Sequence, residues 1–471
     1  MLFDNKRIKH MHCLGIGGIG VSALAEILLK KGYRVTGSDI SRGTNTERLQ
    51  RLGAEIAFNH AGTIVTQADC AIYSSAIATT NPELMAAKRA NVPLLKRGQM
   101  LANVMADYYS IAVAGTHGKT TTSAMLANAF VKANLDPTFM VGGTLNDGQT
   151  PARVGKGRYF IAEADESDAS FLFMKPNIAI VTNIDADHLS TYDGDFNHLK
   201  QTYVQFLHQI IEKGVAVLCI DDPIIQRLIP TLSQRVVTYG FSSSADYRAD
   251  NFCQKGIQGY FEAYRSNHAA HLSVRLNMPG HHNALNALAV IAVADLVEMD
   301  EYALLQSLAA FPGVDRRFAI RGNMITSNGN ALILEDYGHH PNEIRATLTA
   351  ARAAWPNRRI ILVFQPHRYT RTRDLMAEFA FVLMKPDLLI LLEVYSAGES
   401  LIPEADGKSL LKVIEQNVQQ KPVFVPYLQD LPATLQTIVQ PNDIVILQGA
   451  GNIGSIVTTI VNSATNDSKK I

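Results

Sequence analysis

The chain has 471 residues, too many for one hydrophobic core, so two or three domains are expected. Its 43 basic side chains balance 43 acidic ones, which leaves no global basic footprint for nucleic acid. Apolar residues make up 47% and charged ones 18%, an ordinary globular composition, and no run approaches the ~20 apolar residues of a membrane helix. The apolar stretch near the N-terminus is short and broken by His10 and His12, so no signal peptide is expected. Cys13, Cys70, Cys219 and Cys253 lack CxxC spacing and read as buried free thiols in a reducing, cytoplasmic compartment.

Residues 8–14 read as a strand that runs into Gly15-x-Gly17-x-x-Gly20, with Gly18 inside the turn, and then into a helix. A second strand ends at Asp39, about 20 residues further on. This is a dinucleotide-type fingerprint: a diphosphate at the glycine turn and an acidic residue for a ribose. It fixes a Rossmann-like unit without specifying the nucleotide. The segments AEIAF, ADCAIYSSAI and VPLLK supply further strands. Ser74 and Ser75 lie just past one strand end, where ligand contacts concentrate and where turn-capping serines are equally common. His60, after another strand, reads as incidental.

A second segment starts near Asp107. The apolar run 111–114 leads into Gly115-Thr116-His117-Gly118-Lys119-Thr120-Thr121 and then an amphipathic helix. Strand, glycine turn, Lys-Thr and helix form a phosphate cradle, with backbone N–H groups and the helix dipole facing the anion. Lys119 would reach the β- and γ-phosphates and the Thr120 hydroxyl a Mg²⁺ ion. Val113 stands where the usual spacing places a first glycine.

Two later strands end in acidic clusters, Glu163-Ala-Asp165-Glu166-Ser-Asp168 and Asp185-Ala-Asp187-His188. If these strands run parallel to 111–114, all three carboxyl ends share one edge, where carboxylates can hold Mg²⁺. Mg²⁺ prefers oxygen, so His188 suits a water-mediated or carboxylate-orienting role better. The stretch 235–276 alternates polar and apolar residues and reads as an antiparallel insertion. Asn283 and Asn286 then share one face of an apolar helix, as readers of a base or phosphate or as simple caps.

After Phe311-Pro312-Gly313 a third segment alternates strands and helices, the pattern of a second doubly wound sheet. Strand ends deliver Asp336-Tyr337-Gly338-His339-His340, then Gln365-Pro366-His367-Arg368 with Arg371, then Glu393. Adjacent histidines diverge, so His339 and His340 suit a cap or substrate role rather than a metal. Arg368 and Arg371 suit a carboxylate or phosphate. A second GxGxxG, at 449–454, reads as a tight strand-to-helix turn, because no acidic strand end follows about 20 residues later. The fold class is therefore α/β in three domains: a Rossmann-like unit over 1–106, a phosphate-loop unit with a parallel sheet and antiparallel insertion over 107–312, and a Rossmann-like unit over 313–471.

Two phosphate-type loops, an acidic edge and a third α/β unit carrying arginines point to ATP chemistry on a nucleotide-linked substrate. An NAD(P)-dependent oxidoreductase, resting on the first glycine turn and Asp39, is the rival enzyme; a binding protein gated by nucleotide is the non-enzymatic one. The motifs GTHGKTTT, EADESDASF, TNIDADH, PGHHNALNA, GVDRRF, EDYGHHP and FQPHRYTRT, in that order along essentially the whole chain, resemble the Mur ligases. Within that family the GIGGIG-to-GSD segment looks like the member that joins UDP-N-acetylmuramate to L-alanine; a sibling adding another amino acid or a peptide is the alternative.

The resemblance implies phosphorylation of the muramoyl carboxylate by ATP and attack by the amine on the acyl phosphate, in peptidoglycan precursor synthesis. It assigns Gly115, Thr116, His117, Gly118, Lys119, Thr120, Thr121, Asn283, Asn286, Arg317 and Asp336 to ATP. Thr120, Glu163 and His188 would hold Mg²⁺ or Mn²⁺, and Lys119, Glu163, His188, Arg317 and Asp336 would carry catalysis. UDP would lie on Gly15, Gly17, Gly18, Gly20, Asp39, Ser74 and Ser75; the amino acid and acyl group would meet Tyr337, His339, His367, Arg368 and Arg371. Glu335 departs from the family pattern, where many relatives have a second aspartate. Neither a nucleic-acid nor a membrane partner is expected, and the chain would be a monomer or weak homodimer.

Overall fold

The computed structural model describes residues 8–59, 62–74, 76–145, 151–326, 328–416 and 421–462. Three β-sheets occupy three successive stretches of the chain, interleaved with helices. In the first, the order is Glu55–Ala57, Arg34–Ser38, His10–Leu14, Cys70–Tyr73, Leu94–Lys96, all parallel. The chain winds outward from His10–Leu14 in one direction and then returns to its other side. The strand order therefore reverses between His10–Leu14 and Cys70–Tyr73, the place where open α/β sheets bind ligands. His10–Leu14 is buried throughout. The His12 ring meets the Thr36 hydroxyl at 2.8 Å and the Glu83 carboxylate at 3.3 Å, and His10 meets the same hydroxyl at 2.9 Å.

Among the described residues the second sheet has ten strands. At its centre Tyr109–Ala114 lies between Tyr159–Glu163 and Ile178–Val181, parallel to both. Their carboxyl ends therefore share one edge, as the apolar runs predict. Val215–Cys219 continues the parallel set beyond Ile178–Val181. The expected antiparallel insertion over 235–276 needs correction at its start: Arg235–Gly240 is parallel to Val215–Cys219, and residues 247–248 are parallel to it. The helix Pro223–Leu228 lies between the first two of these strands, and a crossover returns the chain in its original direction. Gln258–Arg265 and Leu272–Leu276 then alternate covered and open positions, as strands with one wet face do.

The third sheet runs Ala319–Thr326, Gly329–Asp336, Ile444–Gln448, Ile360–Phe364, Leu388–Leu392, Val423–Val425. All pairings are parallel except the first, which is antiparallel and carries a register shift between Ile320 and Gly322. Ala319–Thr326 has no clean alternation, which is why the sequence reading passes over it. Ile344, Leu348, Phe379 and Leu410 cover one face, packing on Leu334, Leu362 and Leu389. Leu431, Leu435 and Ile460 cover the other, on Ile333, Val363 and Ile390. The sheet is doubly wound, as expected.

By its contacts the chain forms two compact units, the first comprising residues 1–251, 261–274 and 285–311 and the second 252–260, 275–284 and 312–471. Among the described residues no helix is long and apolar enough to cross a membrane. Cys13, Cys70 and Cys219 are buried and free, and burial pushes their thiols up to about 12, 11 and 12. Cys253 is exposed, a correction to the expectation of four buried thiols; it lies where the strand Tyr247–Lys255 turns alternate residues to solvent.

Candidate functional site

In the first unit four residues separate the end of Tyr109–Ala114 from the start of the helix Lys119–Lys132. Val113 belongs to that strand, fully buried and paired with Ile180 and Glu163, so the turn needs no glycine there. The turn glycines are Gly115, at φ +129°, and Gly118, at φ +83°. Each also permits a close approach. A Cβ on Gly115 would sit 2.0 Å from the Thr182 hydroxyl, and one on Gly118 2.7 Å from Asn286 Oδ1.

The loop is clamped to the end of Ile178–Val181. His117 N–H donates to Asn183 Oδ1 at 2.8 Å, Asn183 Nδ2 donates to His117 O at 3.0 Å, and Asp185 N–H donates to the Thr116 hydroxyl at 2.8 Å. The His117 ring lies 3.3 Å from Asp185 Oδ2. Asn286 accepts from the Thr122 hydroxyl at 3.1 Å, which sets it against the start of the phosphate-loop helix. Thr121 is buried in that first turn, and Thr120 half-buried. Asn283 donates instead to Pro279 O at 2.7 Å, a local cap within the second unit.

Lys119 Nζ donates to Gly115 O at 2.5 Å, Thr116 O at 3.1 Å and Glu166 Oε1 at 2.8 Å, which uses all three ammonium donors. Burial pushes the Glu166 carboxyl up to about 7, against the pull of the Lys119 cation. Burial also opposes charge on Lys119, but Glu166 and Asp165 outweigh it and hold the ammonium above its ordinary range. Glu163 Oε1 accepts from Gly142 N–H at 2.6 Å and from the Ser123 hydroxyl at 3.2 Å, so its carboxylate is oriented at the strand end. His188 sits in the left-handed region at φ +55°, its N–H bonded to Asp187 Oδ1 at 2.8 Å.

The glycine turn of the first sheet stands at the reversal of strand order. Gly18 caps the helix Ile19–Lys30, whose first turn has neither an acidic residue nor a side-chain cap. Asp39 Oδ2 accepts from Gly17 N–H at 2.8 Å, so the carboxylate expected on a ribose also holds the turn in shape. A Cβ on Gly15 would meet Ile77 at 3.2 Å, and Ile77 N–H donates to Ser74 O at 3.1 Å; the Ser74 turn thus packs on the glycine turn. Ser75 and His60 lie outside the described residues. Sequence reasoning missed Arg97. A Cβ on Gly20 would lie 2.9 Å from Arg97 Nη1, and Arg97 Nη2 lies 3.3 Å from Asp165 Oδ2. One guanidinium thus links the glycine turn to the acidic edge. Its position right after Leu94–Lys96, at a carboxyl strand end, is the signal that would have found it.

In the second unit Asp336 is buried, and burial pushes its carboxyl up. Oδ1 accepts from Gly338 N–H at 2.8 Å, Gln448 Nε2 at 3.0 Å and the Thr347 hydroxyl at 3.2 Å. Oδ2 accepts from Phe318 N–H at 2.8 Å. Arg316 and Arg317 both lie over the Tyr337 ring, 4.8 and 5.1 Å from its centroid, and Arg317 meets Glu343 at 3.5 Å. Glu335, the departure from the family pattern, is 2.7 Å from both Arg316 and Arg321. Its longer side chain serves two arginines. His340 caps the helix Pro341–Ala354 and shares a capping box with Glu343. His339 N–H also donates to Glu343, at 2.8 Å.

Arg368 has φ +74° and ψ 133°, a strained conformation for a side-chain-bearing residue. Its guanidinium meets Glu399 at 3.2 Å, and the Thr370 hydroxyl donates to the same carboxylate at 2.7 Å. Arg371 is buried and donates to His367 Nδ1 at 3.3 Å and His367 O at 3.1 Å. Arginine only donates, so His367 Nδ1 is the acceptor and the ring carries its proton on Nε2. Strain falls on Arg316, at φ +58°, and Phe318, at φ +50°, as well as on His188 and Arg368. Such residues persist only where the surroundings over-determine them, which is common at functional sites.

Three family descriptions match in succession: "Mur ligase family, catalytic domain" over residues 10–109, "Mur ligase middle domain" over 113–294 and "Mur ligase, glutamate ligase domain" over 316–451. The UDP-N-acetylmuramate–L-alanine ligases of several Coxiella burnetii strains are 72% identical over 461 residues, covering 98% of this chain and 99% of theirs. Among solved structures, the UDP-N-acetylmuramate-alanine ligase MurC of Thermotoga maritima aligns with a TM-score of 0.81 at 29% identity, covering 97% of this chain and 99% of its own. A murein peptide ligase of Psychrobacter arcticus shares the fold, with a TM-score of 0.71 at 22% identity and the same coverage.

Proposed function

The chain belongs to the Mur ligase family, and from that membership we propose that it joins L-alanine to the muramoyl carboxylate of UDP-N-acetylmuramate at the expense of ATP, in peptidoglycan precursor synthesis. One observation carries the reading. Lys119 opens a helix directly after a parallel strand whose two neighbours end in Glu163 and in the loop leading to His188. A phosphate loop between two acidic strand ends suits transfer of a phosphoryl group.

A carboxylate is a poor leaving group. Transfer of the γ-phosphoryl group to the muramoyl carboxylate breaks the bond from the β,γ-bridging oxygen, releases ADP and forms an acyl phosphate. The neutral amine of L-alanine attacks the acyl carbon, and collapse of the tetrahedral intermediate expels inorganic phosphate and leaves an amide. Lys119, releasing one of its three partners, meets the β- and γ-phosphates. Asn183 takes the N–H groups of Thr116 and His117, and the Thr116 hydroxyl takes that of Asp185, so the loop backbone is held in shape beforehand. Asn286 lies against Gly118 and suits the adenine side of the nucleotide, with Asn283 one turn earlier. Asp336 Oδ2, with a single protein donor, retains a lone pair for a ribose hydroxyl. Arg317 neutralises the transferring phosphate.

Thr120 and Glu163 fit a hard divalent cation by donor type, a hydroxyl and an oriented carboxylate, and the His188 imidazole would serve it through a water. Mg²⁺ or Mn²⁺ held there would supply charge neutralisation for the phosphates. Gly15, Gly17, Gly18, Gly20, Asp39 and the Ser74–Ser75 turn would take UDP. Tyr337, His339, His367, Arg368 and Arg371 would take the amino acid and acyl end. The test is the mass of the sugar nucleotide after incubation with ATP, Mg²⁺ and a panel of amino acids. Gain of one alanine residue with release of phosphate is expected; no gain with any amino acid sinks the ligase reading, and gain with a different one assigns a sibling activity.

A further inference from the structure

Four rings form a row along the carboxyl edge of the third sheet. Tyr337 and His339 meet edge-on at 5.6 Å, His339 and His367 lie tilted at 5.8 Å, and His367 stacks on Tyr395 at 5.7 Å with 12° between planes. The first three lie in motifs already assigned to the amino-acid and acyl end. Tyr395 follows Leu388–Leu392 and is bridged to His367 through the backbone: Tyr395 N–H donates to Pro366 O and Arg368 N–H to Tyr395 O, both at 2.8 Å. The Tyr395 side chain is 39% exposed despite its stack.

The second glycine turn braces this ring. A Cβ on Gly451 would lie 2.8 Å from Tyr395 Cβ and 2.5 Å from Gln365 Oε1. Gln365 is itself pinned, accepting from Ile453 N–H at 3.0 Å and donating to Asn452 Oδ1 at 2.8 Å. Gly449 and Gly454 make the same kind of approach, to Gln365 O and to the Glu335 carboxylate. The 449–454 turn therefore serves as a template against which three strand ends are seated. With Arg371 holding His367 from one side and Gly451 lying behind Tyr395, the stacked pair cannot part without moving the sheet edge.

We propose that Tyr395 is a specificity-determining wall of the acceptor amino-acid site, bounding the acceptor side chain with the ring face turned away from His367. The proposal rests on the ligase reading and adds to it the residue that keeps the acceptor small. A rigid aromatic wall excludes branched side chains by contact, whereas a mobile side chain would yield to them.

Steady-state kinetics with glycine, L-alanine, L-serine and L-valine, on the full chain and on Tyr395→Ala, Tyr395→Leu and Tyr395→Phe, decides it. Tyr395→Ala is expected to raise the KM for L-alanine about 10-fold or more, and to shift the valine-to-alanine ratio of kcat/KM by a similar factor, with the KM values for ATP and sugar nucleotide held within about 2-fold. Tyr395→Phe, which keeps the stack, should recover the preference for L-alanine, and Tyr395→Leu stands in if the alanine variant does not fold. A fall in kcat alone, or an unchanged acceptor KM and ratio, overturns the proposal while product formation by the wild-type chain leaves the ligase reading standing. A wild-type chain inactive with every acceptor removes both.

Discussion

The Lys119 ammonium stands 2.8 Å from Glu166, whose side chain is 2% exposed. The pair joins the phosphate-loop helix to the end of the neighbouring strand. With Gly115 O and Thr116 O it fixes the lysine in one orientation. A buried ion pair contributes little net stability, because desolvation offsets attraction, but removing one partner leaves a costly lone charge. Its value here is to hold a cation in place beside the loop.

Lys119→Ala should therefore lose phosphate release while keeping its fold. Glu166, already raised to about 7, takes up a proton when its cation is removed, which spares the core a lone charge. The variant should keep less than about a tenth of wild-type turnover, a barrier rise above ~1.4 kcal/mol. Greater residual activity with an unchanged circular dichroism spectrum would contradict the assigned role.

The raised carboxyl of Glu166 has a consequence for stability. The folded chain binds this proton more tightly than the unfolded one, about 7 against 4.5. Its contribution is complete below pH 4.5 and is lost as pH rises through about 7. Thermal unfolding of the wild-type chain and Glu166→Gln, stepped across that window, should show the wild type losing stability relative to the variant and levelling off above it. A constant difference at every pH would refute the assignment.

Arg317 lies over the Tyr337 ring and meets Glu343, both in its own compact unit. If its service is to the transferring phosphate, Arg317→Ala should cut kcat by about 100-fold, the usual cost of one transition-state donor, and leave UDP-sugar affinity within about 2-fold. Calorimetry beside kinetics reads both; equal losses in the two would rule out a role confined to the transferring phosphate.

Arg97 touches the first glycine turn on one side and Asp165 on the other. A cation beside the uncapped start of a helix is unfavourable unless anions join it, and Asp165 is one such anion. A diphosphate would be another. Arg97→Ala should raise the KM for the sugar nucleotide about 10-fold and the KM for ATP by less than about 2-fold, the pattern of a lost charge-assisted contact. The reverse pattern would place Arg97 on the ATP side.

Much of the site was legible because chemistry concentrates where strands end. The apolar run before Gly115 and the runs before Glu163 and Asp185 announced buried parallel strands, and parallel strands bring their carboxyl ends to one edge. The glycine turn at Gly15 and Asp39 carried its own spacing for the same reason. Short-range rules also sufficed for His340, whose position before Pro341 and Glu343 makes a cap.

What only the tertiary structure decided lies in pairings distant along the chain. Nothing local says that Glu166 meets Lys119, 47 residues away, or that Arg97 meets Asp165, 68 residues away. Nor does anything local say that Gly451 seats Tyr395. The direction of Arg235–Gly240 was likewise hidden, since alternation reports a half-covered face and is silent on which neighbour the strand joins. The sequence determined which segments are strands, turns and helices, because hydrophobic period and glycine placement act over a few residues. The fold alone determined which charges face one another, because that depends on sheet order and register, set by the packing of the whole core.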